Sequence, residues 1–274
     1  MRVTFWGTRG SLASPGPETV RYGGNTACVE IRDSSGGLII LDAGTGIRRL
    51  GATLADVRTV HLLLTHLHLD HLQGLGFFAP LFRPEVEVHI WGPPSPRADL
   101  AALLNRYLSP PLFPVRLKEL GSRVTLHSAP MEPIKIGNVE VVARSIIHPG
   151  PTVGYRLSEG NRAVGYLPDH EPALGARRFP EAAEWTSGFE LSQGVNLLIH
   201  DAQYTVDERA SRIGWGHSSL EEAVAFAGAV GAAALAPFHH DPTHSDADLD
   251  ALFRSVDFGA VGLMPAAEGM SVDI

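Results

Sequence analysis

Cysteine, lysine and long apolar runs are all scarce in this 274-residue sequence. The single cysteine, Cys28, excludes an intramolecular disulfide. No apolar stretch has the length of a signal peptide or of a membrane span, so we expect a cytoplasmic globular protein without membrane association. Only Lys118 and Lys135 are lysines, and the formal net charge is −8. This balance argues against coating nucleic acid, which needs many basic side chains to neutralise phosphates.

Short apolar strands dominate the sequence, and helical patterns lie between them. The predicted strands are Val3–Trp6, Ala27–Arg32, Leu38–Leu41, Val60–Thr65, Val86–Trp91, Ile134–Ile136, Val139–Ala143, Gly154–Leu157, Ala163–Leu167, Asn196–His200, Ala233–Ala236, Val261–Met264 and Met270–Val272. The predicted helices are Gly46–Leu54, Arg97–Leu108, Leu220–Val230 and Asp246–Val256. Ser219 and Glu222 form a capping-box signature before the third helix. The apolar run Gly74–Phe82 is expected to pack in the core, with a pocket wall or a homodimer surface as alternatives. Two β-rich halves with helices predict an α/β protein of two face-to-face sheets, in one domain over residues 1–274.

The densest chemical signal is the segment HLHLDH, which follows the apolar strand Val60–Thr65. Histidine is the commonest metal ligand in proteins, and the chain has 13 histidines. Strand alternation would send His66, His68 and Asp70 to one side, with His71 turning in as the chain enters the next element. These four residues favour a metal site over a polar loop, because unpartnered buried imidazoles would be costly.

A zinc pair needs further ligands, and three later residues stand where predicted strands end. His148 follows VVARSII, Asp169 follows AVGYLP and His239 follows AALAPF. Loops at strand ends collect site residues, because the sheet holds them rigidly. Each residue alone is a weak signal, since a lone histidine after a strand is more often structural or exposed. Together with HLHLDH they form one coherent set of candidate ligands.

With these residues in this order, the sequence resembles the metallo-β-lactamase superfamily over nearly its whole length. The resemblance implies an αββα four-layer sandwich with the site at one edge. It also implies two divalent metal ions, zinc first and manganese as the alternative. The implied ligands are His66, His68 and His148 for the first ion, Asp70, His71 and His239 for the second, and Asp169 as the bridge.

Four further segments resemble the branch that contains ribonuclease Z and the cyclic-nucleotide phosphodiesterases. They are Gly7–Gly10 (GTRG), Tyr22–Thr26 (YGGNT), His200–Ala202 (HDA) and Gly216–Ser219 (GHSS). In that branch an acidic residue of the third segment orients the histidine of the fourth, which faces the scissile phosphate. The resemblance therefore implies that Asp201 orients His217 as a proton donor. The alternative is that His217 only forms a structural hydrogen bond ahead of a helix.

The spacing between His148 and Asp169 departs from ribonuclease Z. Those enzymes generally carry a long tRNA-gripping insertion there, whereas the two residues are 21 positions apart in this chain. Together with the acidic balance, this spacing disfavours tRNA and favours a small phosphodiester or cyclic nucleotide as substrate. His71 stands where β-lactamases often have arginine, and the di-iron branch has a carboxylate near His68, so neither antibiotic hydrolysis nor iron redox chemistry is expected.

The predicted function is a metal-dependent hydrolase, a phosphodiesterase in which a hydroxide held between two metal ions attacks phosphorus. Asp70 would also accept a proton from the nucleophile, and His217, oriented by Asp201, would donate to or stabilise the leaving group. One alternative is a thioester or other ester hydrolase of the same fold. The other is a non-catalytic protein that holds metal for sensing or assembly. Complete ligand sets favour catalysis, since a structural zinc usually has a closed four-ligand shell.

Four residues near these motifs, Arg9, Asn25, His170 and His240, have roles that the sequence leaves open. Arg9 is expected either to hold a phosphate oxygen or to lie in a surface loop. Asn25 is expected to bond loop backbone rather than substrate, and His170 to face solvent or be structural. Of the tandem pair, His239 rather than His240 is the candidate ligand, because neighbours on an extended segment point opposite ways.

Overall fold

The computed structural model describes residues 1–174, 179–180 and 182–274, which form two mixed sheets of seven strands each. The first sheet, in pairing order, contains β14 (Ser271–Asp273), β1 (Arg2–Gly7), β2 (Cys28–Arg32), β3 (Leu38–Leu41), β4 (Thr59–Leu63), β5 (Glu87–Gly92) and β6 (Arg123–Ser128). The second contains β13 (Gly262–Leu263), β12 (Ala234–Phe238), β11 (Leu197–Asp201), β10 (Arg162–Leu167), β9 (Val153–Glu159), β8 (Val139–Ser145) and β7 (Ile134–Ile136). Strands β3 to β6 run parallel to one another, as do β10 to β13.

The space between the sheets is filled by apolar side chains from both inner faces. In β1 the buried residues alternate with more exposed ones, and Val3 and Phe5 point inward. The Phe5 ring lies 6.2 Å from the ring of Phe238, which in turn meets Tyr166 at 5.9 Å. Strands β3 and β11 are buried along their whole length. Continuous burial is typical of strands that are covered on both faces, which requires helices outside the sheets.

Helices cover the outer face of each sheet. They are α1 (Ile47–Thr53), α2 (Leu100–Tyr107), α3 (Phe189–Ser192), α4 (Val206–Ala210), α5 (Leu220–Ala229) and α6 (Asp246–Ser255). Helices α1 and α2 pack against the first sheet, and α5 and α6 against the second. The predicted capping box of α5 is present, since Glu222 N donates to Ser219 Oγ at 3.2 Å and Ser219 N donates to Glu222 Oε2 at 3.0 Å. The predicted αββα sandwich is confirmed. In the described part of the chain, no helix is both long and apolar enough to span a bilayer.

Strand β6 and the short helices α3 and α4 were not predicted, and one prediction needs correction. In β6, Val124 and Leu126 alternate with polar residues as in a half-buried edge strand. The run Gly74–Phe82 forms two short 3₁₀ turns instead of one core segment. Phe78 in this run is buried, whereas Phe77 is 59% exposed. The core prediction is therefore right for only part of the run.

Asp33 connects a turn of the first sheet to a turn of the second. Its Oδ1 accepts from Ser35 N at 2.8 Å and from Gly37 N at 2.7 Å, within the turn between β2 and β3. Its Oδ2 accepts from Asn138 N at 2.9 Å, in the turn between β7 and β8. Burial alone would raise the pKa of Asp33, but these N–H donors outweigh it and lower the pKa to about 2.

We expect Asp33→Asn to lower the free energy of unfolding at pH 7 by about 1–2 kcal/mol, because a charged acceptor of several N–H bonds is lost. A carboxyl with a depressed folded-state pKa contributes stability above its unfolded value and loses it as the pH falls through the folded value. The difference from wild type should therefore shrink as the pH falls from 5 towards 3. Urea unfolding followed by circular dichroism measures it, with the exposed Asp56→Asn as control. Equal midpoints of wild type and Asp33→Asn at pH 7 would refute this role.

Candidate metal centre

The candidate ligands meet at one edge of the sandwich, where strands of like direction end. His66 follows β4, Asp169 follows β10 and His239 follows β12. Strand β8 runs in the same direction as β10, because both are antiparallel to β9, and His148 follows its end. The carboxyl ends of such strands are where α/β sheets place their sites. The loops at these ends bring together residues that are distant in the sequence.

The first group of ligand atoms belongs to His66, His68, His148 and Asp169, all within 4.8 Å of one another. His148 Nε2 lies 3.1 Å from His68 Nδ1 and 3.7 Å from Asp169 Oδ2. His66 Nε2 lies 3.6 Å from the same carboxylate oxygen. These four residues can hold one metal ion.

The second group belongs to Asp70, His71, His239 and the same Asp169. His71 Nε2 lies 2.9 Å from Asp169 Oδ1, and His239 Nε2 lies 3.3 Å from Asp169 Oδ2. His239 Nε2 also lies 3.1 Å from Asp70 Oδ2. The sequence predicts that Asp70 follows strand alternation after His68, but the structure shows otherwise. A 3₁₀ turn over Leu69–His71 interrupts the extended segment and directs Asp70 and His71 into this second group.

The spacing of these side chains and the neutral state of His66 and His148 fit divalent metal ions. Tetrahedral zinc with Zn–N distances near 2.0–2.1 Å separates neighbouring ligand atoms by about 3.4 Å, close to the separations above. His66 Nε2 is buried and has no hydrogen-bond partner within the described ranges. Burial and the nearby charge of His71 lower the pKa of His66 well below its ordinary value, and burial lowers the pKa of His148 to about 4. Neutral imidazoles with free lone pairs are what metal binding requires.

Asp42, which sequence reasoning missed, accepts hydrogen bonds from His71 and Thr65 beside the cluster. His71 Nδ1 donates to Asp42 Oδ2 at 2.8 Å, and the hydroxyl of Tyr166 donates to the same oxygen at 2.9 Å. Thr65 N donates to Asp42 Oδ1 at 2.8 Å, and Thr65 Oγ1 lies 3.0 Å from His66 Nδ1. Such contacts fix the ring orientation and direct Nε2 towards the metal position. The only signal for Asp42 in the sequence is that an acidic residue directly follows the buried strand β3.

Two further rings are oriented through their Nδ1 atoms. His148 Nδ1 donates to the carbonyl of Gly216 at 2.9 Å, and His239 Nδ1 donates to Gln203 Oε1 at 3.2 Å. Both rings therefore present Nε2 to the cluster. Gly216 has φ +86°, and a Cβ there would lie 2.5 Å from His148 Nδ1, so this close approach requires glycine.

His217 lies against the cluster and is bound to Asp201. His217 Nδ1 donates to Asp201 Oδ2 at 2.6 Å, and Ser218 N donates to the other oxygen at 3.1 Å. The His217 ring stacks on that of His239, with centroids 5.0 Å apart, and lies edge-on to His148 at 5.0 Å. Burial favours the neutral ring, but the charge and hydrogen bond of Asp201 outweigh it and raise the pKa of His217. Its Nε2 is left for a group bound at the cluster.

A buried ion pair between Arg209 and Glu171 supports the loop that carries His217. Sequence reasoning missed this pair as well. Arg209 Nη2 donates to Glu171 Oε1 at 2.7 Å, and both side chains are almost completely buried. Glu171 Oε2 accepts from Gly216 N at 2.9 Å and from Gly214 N at 3.1 Å. This carboxylate therefore holds the backbone whose carbonyl orients His148.

The structure corrects the expectations for both Arg9 and Asn25. Arg9 is fully buried, so it neither lies in a surface loop nor reaches a phosphate. Its Nε donates to the carbonyl of Gly23 at 2.8 Å and its Nη1 to that of His244 at 2.6 Å, which joins two loops. Asn25 Nδ2 donates to Glu268 Oε2 at 2.9 Å, so its side chain bonds another side chain and not the loop backbone.

His170 and His240 lie outside the two groups. His170 is fully buried, so the solvent-facing alternative is wrong, and its Nδ1 lies 2.9 Å from His200 Nε2. His240 points away from its neighbour His239 and packs near the ring of Tyr22 at 6.1 Å. Only His239 of the tandem pair reaches the cluster.

A four-layer αββα sandwich with histidines and carboxylates gathered at one sheet edge defines a class of metal-dependent hydrolases. The sequence model of the family described as "Beta-lactamase superfamily domain" matches residues 38–240. The chain therefore belongs to the beta-lactamase superfamily, and it is a metal-dependent hydrolase of the metallo-β-lactamase fold.

Relatives and solved structures agree with this assignment. Ribonuclease Z of Haloarcula marismortui is 27% identical over 281 aligned residues, which cover 87% of this chain and 86% of the relative. The metallo-beta-lactamase fold protein YhfI of Bacillus subtilis superposes with a TM-score of 0.71 at 18% identity, covering 99% of this chain and 98% of that one. A diphosphatase of the PhnP family gives 0.70 at 19% identity, covering 100% and 97%. The predicted superfamily and its ribonuclease Z branch are confirmed.

Proposed function

We propose that this hydrolase is a phosphodiesterase that cleaves a small phosphodiester or cyclic nucleotide with two divalent metal ions, zinc first and manganese as the alternative. The observation that carries the proposal is the Asp201–His217 pair, in which a histidine held by a buried carboxylate stacks on His239 at the edge of the cluster. His66, His68, His148 and Asp169 would hold one ion, and Asp70, His71, His239 and Asp169 the other.

The metal ions, when bound, make a nucleophilic water available at neutral pH and neutralise charge on the phosphoryl oxygens. Asp70 is fixed by Ser11 N, which donates to its Oδ2 at 2.8 Å. Burial alone would raise the pKa of Asp70, but the charges of His71 and His239 lower it well below its usual range. An ionised carboxylate suits metal binding and is a weak proton acceptor, so ligation is the main role we assign to Asp70.

His217 favours a phosphodiesterase over a thioesterase. A thiolate is a good leaving group near neutral pH, since the ordinary thiol pKa is about 8.5, and needs no proton donor. The alkoxide released from a phosphodiester is far more basic and is stabilised by a donated proton. His217 holds one proton on Nδ1 through Asp201 and can hold the second on Nε2, facing the cluster.

The chain between the third histidine and the bridging aspartate supports a small substrate. Residues 148–169 contain little besides the hairpin of β9 and β10, with Gly160 at its turn. The tRNA-gripping insertion of ribonuclease Z thus has no counterpart there. The formal net charge of −8 also disfavours a long polyanion.

A substrate screen tests the proposal. Purified protein loaded with zinc or manganese would be offered bis-p-nitrophenyl phosphate, cyclic mononucleotides, a thioester and a precursor tRNA. We expect turnover of the small phosphodiesters, and little or none of the thioester or the precursor tRNA. Faster cleavage of the thioester or of the tRNA than of any small phosphodiester would overturn the proposal. Failure to cleave any class at either metal would favour the non-catalytic alternative.

A further inference from the structure

A groove opens beside the metal centre, on the side of helices α1 and α2. Its volume is about 340 Å³, and its walls include Arg48, Leu69, Phe77 and Tyr107. Leu69 lies between two candidate metal ligands in the chain and is 59% exposed. Since consecutive Cα atoms are about 3.8 Å apart, Leu69 places one wall of the groove directly beside the backbone of His68 and Asp70.

One side of the groove is aromatic and held in place. The hydroxyl of Tyr107 donates to the carbonyl of Gln73 at 2.6 Å, which fixes its ring. Phe77 exposes 59% of its surface although Phe113 packs edge-on beneath it, with centroids 5.9 Å apart and an interplanar angle of 90°. The exposed Phe77 ring and the half-buried Tyr107 ring are both held by their neighbours, so they offer a flat apolar surface without much loss of side-chain entropy. Nucleobases stack on such rings regardless of base identity.

The other side of the groove carries Arg48, an exposed cation on α1. Arg48 and Arg49 are neighbours on α1, and Arg49 Nη1 donates to Glu268 Oε2 at 2.8 Å. No ion pair joins Arg48 to a carboxylate within residues 1–174, 179–180 and 182–274. In a chain of net charge −8, an arginine without a carboxylate beside the metal centre favours an anionic ligand. A guanidinium binds a phosphate through two parallel N–H donors.

We propose that this groove binds the nucleotide arm of the substrate, with the base against Phe77 and Tyr107 and a second phosphate at Arg48. The inference rests on the proposed phosphodiesterase function and names its substrate class: a phosphodiester with a nucleoside on one side that carries a further phosphate. A cyclic mononucleotide lacks that second phosphate and would use only the aromatic side.

Three chromogenic esters with the same leaving group separate the contribution of the base from that of the second phosphate. They are methyl p-nitrophenyl phosphate, which has no second ring, the p-nitrophenyl ester of thymidine 5′-monophosphate, and the same ester with a 3′-phosphate. For wild type we expect kcat/KM to rise at each step of this series. Phe77→Ala should reduce the gain from the base by about tenfold. Arg48→Ala should reduce the gain from the 3′-phosphate by about fivefold, and Arg48→Lys should restore part of it.

Arg49→Ala is the matched control, because it removes the neighbouring arginine, which is already paired with Glu268. It should keep the wild-type ratios among the three esters. Calorimetric binding of thymidine 3′,5′-bisphosphate gives a readout that does not depend on turnover, and Arg48→Ala should weaken it. Equal kcat/KM for all three esters, or equal ratios in wild type and Arg48→Ala, would overturn the groove while leaving the phosphodiesterase intact. No cleavage of any of the three esters would overturn both.

Discussion

Asp169→Asn should remove metal from both halves of the cluster and lower phosphodiester turnover by about 10³-fold or more. Asp169 is the one residue that belongs to both groups of candidate ligands. The asparagine side chain is uncharged and has one oxygen instead of two, so it cannot neutralise two cations. Loss of a single transition-state donor costs about 10²–10³ in turnover, and loss of the metals removes more than one such interaction.

Metal content per chain, measured by atomic spectroscopy after purification and dialysis, checks this directly. Wild type should retain more metal than Asp169→Asn, and its thermal midpoint should rise on adding zinc, since a ligand that binds only the folded state stabilises it. Asp257→Asn, at an exposed position, serves as control and should behave as wild type. Asp42→Asn should show an intermediate defect of about 10–100-fold in metal affinity, because it acts through His71. Equal metal content in wild type and Asp169→Asn would remove Asp169 from the proposed centre.

The sequence predicts those site residues that lie in a local motif or directly after a strand. His66, His68, Asp70 and His71 lie in one dense motif, so their neighbourhood needs no knowledge of the fold. His148, Asp169 and His239 each follow a predicted strand, and the structure brings all three to the same edge. The strand series also predicts the sandwich, because an alternating or continuous apolar run reports which faces of a strand are covered.

The rest depends on contacts between distant segments. Asp42 has no motif, and only the folded chain shows that its carboxylate lies 2.8 Å from His71 Nδ1. Glu171 and Arg209 are 38 residues apart, and neither segment alone indicates a buried ion pair. Arg9 was expected at a phosphate or on the surface, but backbone carbonyls from two other loops enclose it. Local patterns carry periodicity and strand ends, whereas the partner of a buried polar side chain is set by tertiary packing.

His217→Ala should lower turnover of phosphodiesters with an alkoxide leaving group by about 10²–10⁴-fold, the usual contribution of a positioned acid. The effect on a p-nitrophenyl ester should be much smaller, because p-nitrophenolate is a weak base and departs without a proton. This dependence on the leaving group separates a proton donor from a residue that only maintains the loop. A structural role would reduce the turnover of both kinds of substrate by the same factor.

The experiment compares kcat for a dinucleotide with that for bis-p-nitrophenyl phosphate in wild type, His217→Ala and Asp201→Asn. Asp201→Asn removes the charge that raises the pKa of His217, so it should shift the same ratio in the same direction by a smaller amount. His127→Ala, on the edge strand β6 and outside both ligand groups, is the matched control for losing an imidazole. An unchanged ratio in His217→Ala would exclude proton donation. In that case the close contact with Asp201 would serve only to hold the loop whose Gly216 carbonyl orients His148, and the case for a phosphodiester over a thioester would lose its main support.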